Sequence, residues 1–222
     1  MKEIKSDAGL DNYFLFKNVL KEWLPALRAH RKVYRFKKGE TIFEEGSAVK
    51  GIYFIDKGKA KVHMKWDDNK DLIVRFAGDG EILGHRGYGK ELAYSVSATA
   101  METSDICFMD NDFFFSTLRV NNEFLLQLML FFAEELKISE RKMRDIALAP
   151  AKTRLLKALE QLQDLFGEKD GENIHLKINK QDLASYIGTT YETLFRLLNE
   201  LQNEGILQAD SKTIRFSNIK PG

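Results

Sequence analysis

Seven residues, Leu125, Met129, Phe132, Leu136, Ser139, Met143 and Ile146, succeed one another by alternating steps of four and three, and Pro150 stands just beyond the last of them. A seam sustained over about three heptads requires one long helix with a narrow apolar edge. Proline suits a helix's first turn and costs about 3 kcal/mol in its interior, so the long helix should stop near Leu148 and a new one start near Ala151. The seam therefore separates an N-terminal part of the chain from a C-terminal one. Phe124, Leu128, Leu130 and Phe131 widen the apolar surface of its first half, which is expected to touch its own domain as well as a partner helix. Beyond Ile138 the flanks turn charged, as in SERKMRD. A narrow stripe with charged flanks can pack on its own domain or on a second copy; the narrowing favours a parallel homodimer.

The residues before the seam carry a different pattern. VYRF, TIFEE, GIYFIDKG, KAKVHMKW, DLIVRF, SVSATAM and DICFM are short β-rich runs between the turns KKGE, DKGK, AGDGE and YGKE, whose glycines are expected at positive φ. Many short strands at this spacing read as a barrel or sandwich. Ahead of them, LDNYFLFKNVLKEWLPALRAH reads as an amphipathic helix bent at Pro25 that packs on the barrel.

After Pro150 come a helix (TRLLKALEQLQDLF), a polar loop (GEKDGEN), a strand (IHLKI), two helices and a terminal hairpin. In INKQDLASYIGTTYETLFRLLNELQNEGIL, Asn179 caps the first of the two helices, Gly188 turns the chain and Gly205 closes the second. Ala184 and Gly188 are expected to keep the helix crossing close. Leu183, Ile187, Leu194, Leu197, Leu198 and Leu201 supply the shared core, and ILQAD and TIRFS form a wing around DSK. This is a winged helix-turn-helix, a unit that lays its second helix in a DNA major groove. The whole is an α+β chain: residues 1–120 a barrel or sandwich, 121–149 a dimerisation helix and hinge, 150–222 the winged helix-turn-helix.

Composition excludes several classes. With 34 basic and 33 acidic residues the net charge is +1, which points to neither nucleic acid nor membrane. Cys107 is the single cysteine, so an intrachain disulfide and a Cys₄ iron–sulfur or zinc site are out of reach, and a reducing compartment fits. No apolar leader or spanning window is legible, so a cytoplasmic protein without membrane association is expected. His30, His63, His85 and His175 lack metal-ligand spacing, and no nucleophile elbow or Walker lysine loop occurs. No enzyme and no metal site are expected.

The chain resembles the Crp/Fnr family of bacterial transcription regulators over nearly its whole length, a resemblance that makes the barrel or sandwich of residues 1–120 a double-stranded β-helix (β-roll or jelly roll). KKGETIFEEGSAVKGIYFIDKGKAKV is similar to the opening of the family's cyclic-nucleotide-binding β-roll, the long helix to its dimer helix, and INKQDLASYIGTTYETLFRLLNELQNEGIL with SKTIRF to its helix-turn-helix and wing. The resemblance implies effector-binding positions at Gly84, His85, Arg86, Tyr94, Ser95 and Ser139. Gly84 matches, but His85 stands where cyclic-AMP-binding members carry the ribose glutamate and Tyr94, followed by Ser95, where they carry the phosphate arginine. On the dimer helix Ser139 suits the adenine-contacting position; its neighbour Glu140 suits it less. Without an arginine fork a buried cyclic phosphate loses its bidentate partner, so cyclic AMP in the usual geometry is not expected. Arg86 either pairs with Glu91 or turns to a small anionic effector; His85 is either a hydrogen-bonded loop histidine or a pH-sensitive or haem-ligating group. The family's oxygen-sensing iron–sulfur cluster needs cysteines this chain lacks.

For DNA, the resemblance implies base reading by Tyr191, Glu192 and Arg196. Arg196 can bond guanine O6 and N7, Glu192 can accept from cytosine, and Tyr191, in place of an arginine, shifts its position away from guanine. Glu192 also fits a capping box with Thr189. Asn179, Lys180, Gln181, Thr190, Thr193 and Lys212 match phosphate-contact positions. A palindromic double-stranded site with TGA-type arms and contact with RNA polymerase, in an activator's manner, are implied by the family; a constitutive dimer with a purely structural β-roll is the alternative. From Pro150 onward ten Lys and Arg balance ten Asp and Glu, so nonspecific DNA affinity should be weak.

Overall fold

The computed structural model describes residues 2–4, 13–67, 70–170 and 173–217. Two compact units form: one of residues 1–64 and 74–136, the other of residues 65–73 and 137–222.

The first unit is built on two antiparallel sheets. One orders β1 (Lys2–Ile4), β2 (Lys32–Phe36), β9 (Ser104–Asp110), β4 (Gly51–Lys57) and β7 (Ile82–Leu83) as β1-β2-β9-β4-β7. The other runs β3-β8-β5-β6, from β3 (Thr41–Phe43), β8 (Ser97–Ala100), β5 (Ala60–Asp67) and β6 (Lys70–Ala77), the last two reaching into the residues of the second unit. Strand alternation aims Phe36, Phe43, Ile55, Val62, Leu83, Ala98 and Ile106 into a common core, which Tyr94 and Val96 join from the segment ahead of β8. The two-sheet barrel or sandwich expected from the short strands is thus present, in the β-roll form that the resemblance implies. Gly39, Gly58 and Gly80 take positive φ; Gly89 of YGKE does not.

Three local expectations change. The segment ahead of β2 is not one bent helix: residues 14–18 and 21–23 form 3-10 turns, and α1 spans only Leu24–His30. Pro25 sits in the first turn of α1, where its missing N–H costs nothing, so it starts a helix instead of bending one. Positions 10–12 of that segment lie outside the described residues. A helix not anticipated, α2 (Asn111–Val120), comes directly after β9; the Asp110 carboxylate caps it by accepting from Phe113 N at 2.9 Å. Its Phe113 and Phe114 join Tyr13, Phe16, Phe54, Phe124 and Leu128 in a second core.

α3 (Asn122–Leu148) and α4 (Ala151–Phe166) start and stop where the seam and Pro150 place them. Phe124 and Leu128 are buried, whereas Leu130 is exposed and adds nothing to the core.

In the second unit the loop GEKDGEN is partly a strand. β10 (Gly167–Asp170) pairs antiparallel with β11 (Asn173–Lys177), since an edge strand gains its backbone bonds without apolar side chains. The sheet order is β10-β11-β13-β12, with β12 (Leu207–Ala209) and β13 (Thr213–Ser217) forming the wing. α5 (Lys180–Tyr186) and α6 (Tyr191–Asn203) complete the helix-turn-helix. All six expected core residues of the pair are buried. Gly188 is required for φ +65°, and a Cβ there would meet the Ile146 side chain at 3.6 Å, so it serves the turn and not the helix crossing. Also within this unit, Ser185 Oγ donates to Asp71 O at 2.5 Å and accepts from Ile73 N at 2.9 Å, and Lys142 Nζ sits 3.6 Å from the Tyr186 ring centroid. Among the described residues no helix is long and apolar enough to cross a membrane, and no cluster of three His, Cys, Asp or Glu is placed to hold a metal ion.

Candidate nucleic-acid interface and effector region

α6 is amphipathic in the way its sequence demands. Leu194, Leu197, Leu198 and Leu201 are buried, and the opposite face presents Tyr191, Glu192, Phe195 and Arg196. The N-cap is Thr190, whose Oγ1 accepts from Thr193 N at 3.2 Å, so the capping box from Thr189 does not form. Glu192 falls in the first turn instead, where its own backbone N–H and then the Thr190 hydroxyl hold its carboxyl below the ordinary range. Phe195 is an addition that the family resemblance does not supply. At 54% exposure it is a large aromatic turned to solvent, one helical turn from Tyr191 and beside Arg196. Its signal lies in the sequence all the same: it falls outside the leucine stripe.

The expected phosphate-contact residues lie on α5, at the start of α6 and in the wing turn. Asn179 caps α5 by accepting from Gln181 N at 2.8 Å, and Gln181, Thr190 and Lys212 are exposed, with Thr193 half-buried. Lys180 Nζ donates to the Asp210 carbonyl in the wing turn; burial lowers its pKa, with Asp210 opposing. The Asp210 carboxylate in turn accepts from the backbone N–H groups of Lys212 and Thr213 at 2.7 and 2.8 Å, which fixes the wing tip. The acids that make this unit neutral are in part tied up: Glu200 and Glu204 both pair with Lys152 at 2.7 Å.

The positions that the resemblance implies for an effector are arranged differently from what the sequence suggests. Gly84 has φ +81° and starts the 3-10 turn His85–Gly87; a Cβ there would meet Tyr94 Cε1 at 3.1 Å. Tyr94 is buried. Its ring stacks on Phe43 at 4.2 Å and its hydroxyl donates to Gly51 O at 2.8 Å, so the side chain at the phosphate-arginine position is part of the β-roll interior. Ser95 is exposed, with a long contact of 3.5 Å to Arg86 O.

Arg86 does not pair with Glu91. Its Nη2 bonds Glu135 Oε2 at 3.0 Å, and the same oxygen lies 3.4 Å from His85 Nε2 and 4.0 Å from Arg75 Nη1. His85 is 3% exposed, packed edge-on against Phe131 and Phe132, and neither of its ring nitrogens has a well-formed hydrogen bond; it is not the hydrogen-bonded loop histidine of the simplest reading. Burial lowers its pKa, with Glu135 opposing and Arg75 and Arg86 acting in the same sense as burial. For Glu135 burial pushes the carboxyl up, but His85, Arg75 and Arg86 outweigh it and hold it at about 2. Arg75 and Glu135 are not legible as partners in the sequence because one lies in a strand and the other in the seam's flank, 60 residues apart. Ser139 is half-buried on α3 among residues of the second unit, whereas the other five effector positions lie in the first.

The heptad seam of α3 is largely open. Met129, Leu136 and Met143 are 58%, 61% and 68% exposed, and Leu125 and Ile146 are also exposed. Phe132 is half-buried through its contact with His85. Five large apolar side chains along one helical edge form a surface that a monomeric soluble protein rarely leaves uncovered.

A cyclic-nucleotide-binding type of β-roll followed by a long helix and a winged helix-turn-helix is the build of a DNA-binding transcription regulator. Residues 33–121 match the cyclic nucleotide-binding domain family and residues 153–220 the Crp-like helix-turn-helix domain family. The chain is 26% identical over 193 residues to the cAMP-activated global transcriptional regulator CRP of Shigella flexneri, covering 84% of this chain and 90% of that one. It is 26% identical over 199 residues to the anaerobic regulatory protein of Bacillus subtilis strain 168, covering 88% and 82%. Among solved structures, the c-di-GMP responsive global regulator CLP of Xanthomonas campestris superposes with a TM-score of 0.74 at 20% identity, over 86% of this chain and 96% of that one. FixK2 from Bradyrhizobium japonicum gives 0.74 at 19%, over 84% and 92%. The chain belongs to the Crp/Fnr family of DNA-binding transcription regulators.

Proposed function

We infer that the protein acts as a homodimer on a palindromic DNA site and that its β-roll controls this binding through an effector other than cyclic AMP held in the usual way. The observation that carries the DNA reading is the exposed face of α6, where Glu192 and Arg196 stand beside the aromatics Tyr191 and Phe195. Arg196 reads a guanine through its fork, Glu192 accepts from a cytosine amino group, and Tyr191 and Phe195 meet thymine methyl groups. Asn179, Gln181, Thr190, Thr193 and Lys212 set register on phosphates; Lys180 contributes mainly by holding the wing turn. The open seam of α3 supports parallel pairing of two copies, which places two recognition helices about one helical turn of DNA apart. Contact with RNA polymerase, and activation through it, accord with the family.

A specific observation favours a second reading, in which the β-roll takes no small molecule. Tyr94 fills the position of the phosphate arginine with a ring stacked on Phe43 and a hydroxyl already bonded to Gly51. Selection from random duplexes tests the DNA reading. Enriched sites should be inverted repeats with TGA-type arms, and Arg196→Ala should lose about 5- to 150-fold at one guanine position, whereas Lys212→Ala should weaken all sequences alike and lower the salt slope by about one. Sites without inverted symmetry, or an unchanged Arg196→Ala profile, refute it.

A further inference from the structure

Two guanidinium groups and an imidazole in the first unit converge on one carboxylate oxygen, Glu135 Oε2. They come from three places in the chain: Arg75 from β6, His85 and Arg86 from the turn after β7, and Glu135 from α3. Planar forks that meet behind apolar walls, here Phe131 and Phe132, are the chemistry by which proteins recognise phosphate and carboxylate groups. In this structure the anion between them belongs to the chain itself.

Three features mark Glu135 as a replaceable occupant. Arg75 is held independently of it, by Glu81 at 2.6 Å and by the Ile82 carbonyl at 3.0 Å, so the cationic site persists when the carboxylate leaves. His85, almost wholly buried, places Nε2 3.4 Å from the Glu135 oxygen and yet forms no well-made hydrogen bond there, and an imidazole N–H can donate to an incoming oxyanion better placed than that oxygen. The Arg86 side chain is 26% exposed and opens the cluster to solvent.

We propose that Arg75, Arg86 and His85 form an oxyanion-binding site that Glu135 closes in this structure, and that a small effector bearing a phosphate or carboxylate group competes with Glu135 for it. Glu135 precedes Leu136 of the dimer seam, so displacement of its side chain acts on the helix that carries the seam. The inference rests on reading the first unit as an effector module. Its test is therefore made on the full chain without DNA, where a failure of DNA recognition leaves the readout untouched.

The site is tested with inorganic phosphate and with malonate, each against sodium chloride at equal ionic strength, by thermal unfolding of the wild type, Glu135→Gln, and Glu135→Gln with Arg86→Gln. Removing the internal anion should leave Glu135→Gln with a saturable rise in Tm, on the order of 5 °C at saturation, for phosphate or malonate. Half the effect should come at a concentration at least about tenfold below that of the wild type, as competition requires. Adding Arg86→Gln should abolish the rise. Which of the two probes acts identifies the oxyanion class. Equal responses in all three proteins, or none in Glu135→Gln, overturn the proposal. Should Glu135→Gln fail to fold, the wild type decides: a saturable rise over chloride upholds the site and a flat response overturns it.

Discussion

Replacing Glu135 by glutamine keeps the shape of the side chain and removes the charge that two arginines and a histidine surround. The size of the effect comes from linkage. The carboxyl sits at about 2 in the folded chain against an ordinary value of 4.5, and each unit of difference is worth about 1.4 kcal/mol. A lowered folded-state pKa contributes stability that is complete above the unfolded value and is lost as pH falls through the folded one. The contribution is therefore about 3 kcal/mol at pH 7 and shrinks to about 1 kcal/mol at pH 3. Glu135 is 9% exposed, so solvent screening takes little from this. The substitution also weakens the contact in which Arg86 Nη2 donates to Glu135 Oε2 at 3.0 Å, since a neutral amide oxygen accepts less strongly than a carboxylate. Urea unfolding followed by tryptophan fluorescence should show Glu135→Gln less stable by about 3 kcal/mol at pH 7, with the gap to wild type narrowing between pH 5 and pH 2. A loss below about 1 kcal/mol at pH 7, or a gap that stays constant on acidification, would refute the electrostatic account of the cluster.

Sedimentation of a Phe132→Glu, Leu136→Glu chain should give a monomer where the wild type is a dimer, because an acid pair on the seam opposes its like across a parallel interface; an unchanged dimer places the interface elsewhere. Phe195→Ala should leave thermal stability within about 0.5 kcal/mol, as expected for a mostly exposed side chain, and flatten preference for thymine at one position of the selected site. An unchanged site profile removes Phe195 from the interface. Cyclic AMP should bind at least about thirtyfold more weakly than to relatives with the glutamate and arginine anchors, by calorimetry, and Tyr94→Arg with His85→Glu should recover part of the difference. Submicromolar binding by the unaltered chain contradicts this.

What the sequence determined by itself is whatever is decided within a few residues of chain. The seam and Pro150 marked α3 and the break between it and α4 near Leu148 and Ala151, Asn179 and Gly188 marked the start of α5 and the turn after it, and the leucine stripe of α6 named its buried face. Caps, helical periodicity and proline act locally, so they are legible without knowing what the element packs against. Backbone pairing with little help from side chains was legible less well: β10 reads as a polar loop until β11 lies beside it. The surroundings of the candidate effector positions were decided only by the tertiary structure. Glu91 is five residues from Arg86 and is its natural partner in sequence, but the chain brings Glu135 to it from 49 residues away, into an apolar setting where a charge pair interacts more strongly than on a wet loop. Tyr94 likewise reads as a missing arginine until the folded sheets place Phe43 against its ring and the Gly51 carbonyl at its hydroxyl. The partner of a charged or polar side chain is set by which surfaces the packed core brings together, and no local pattern carries that information.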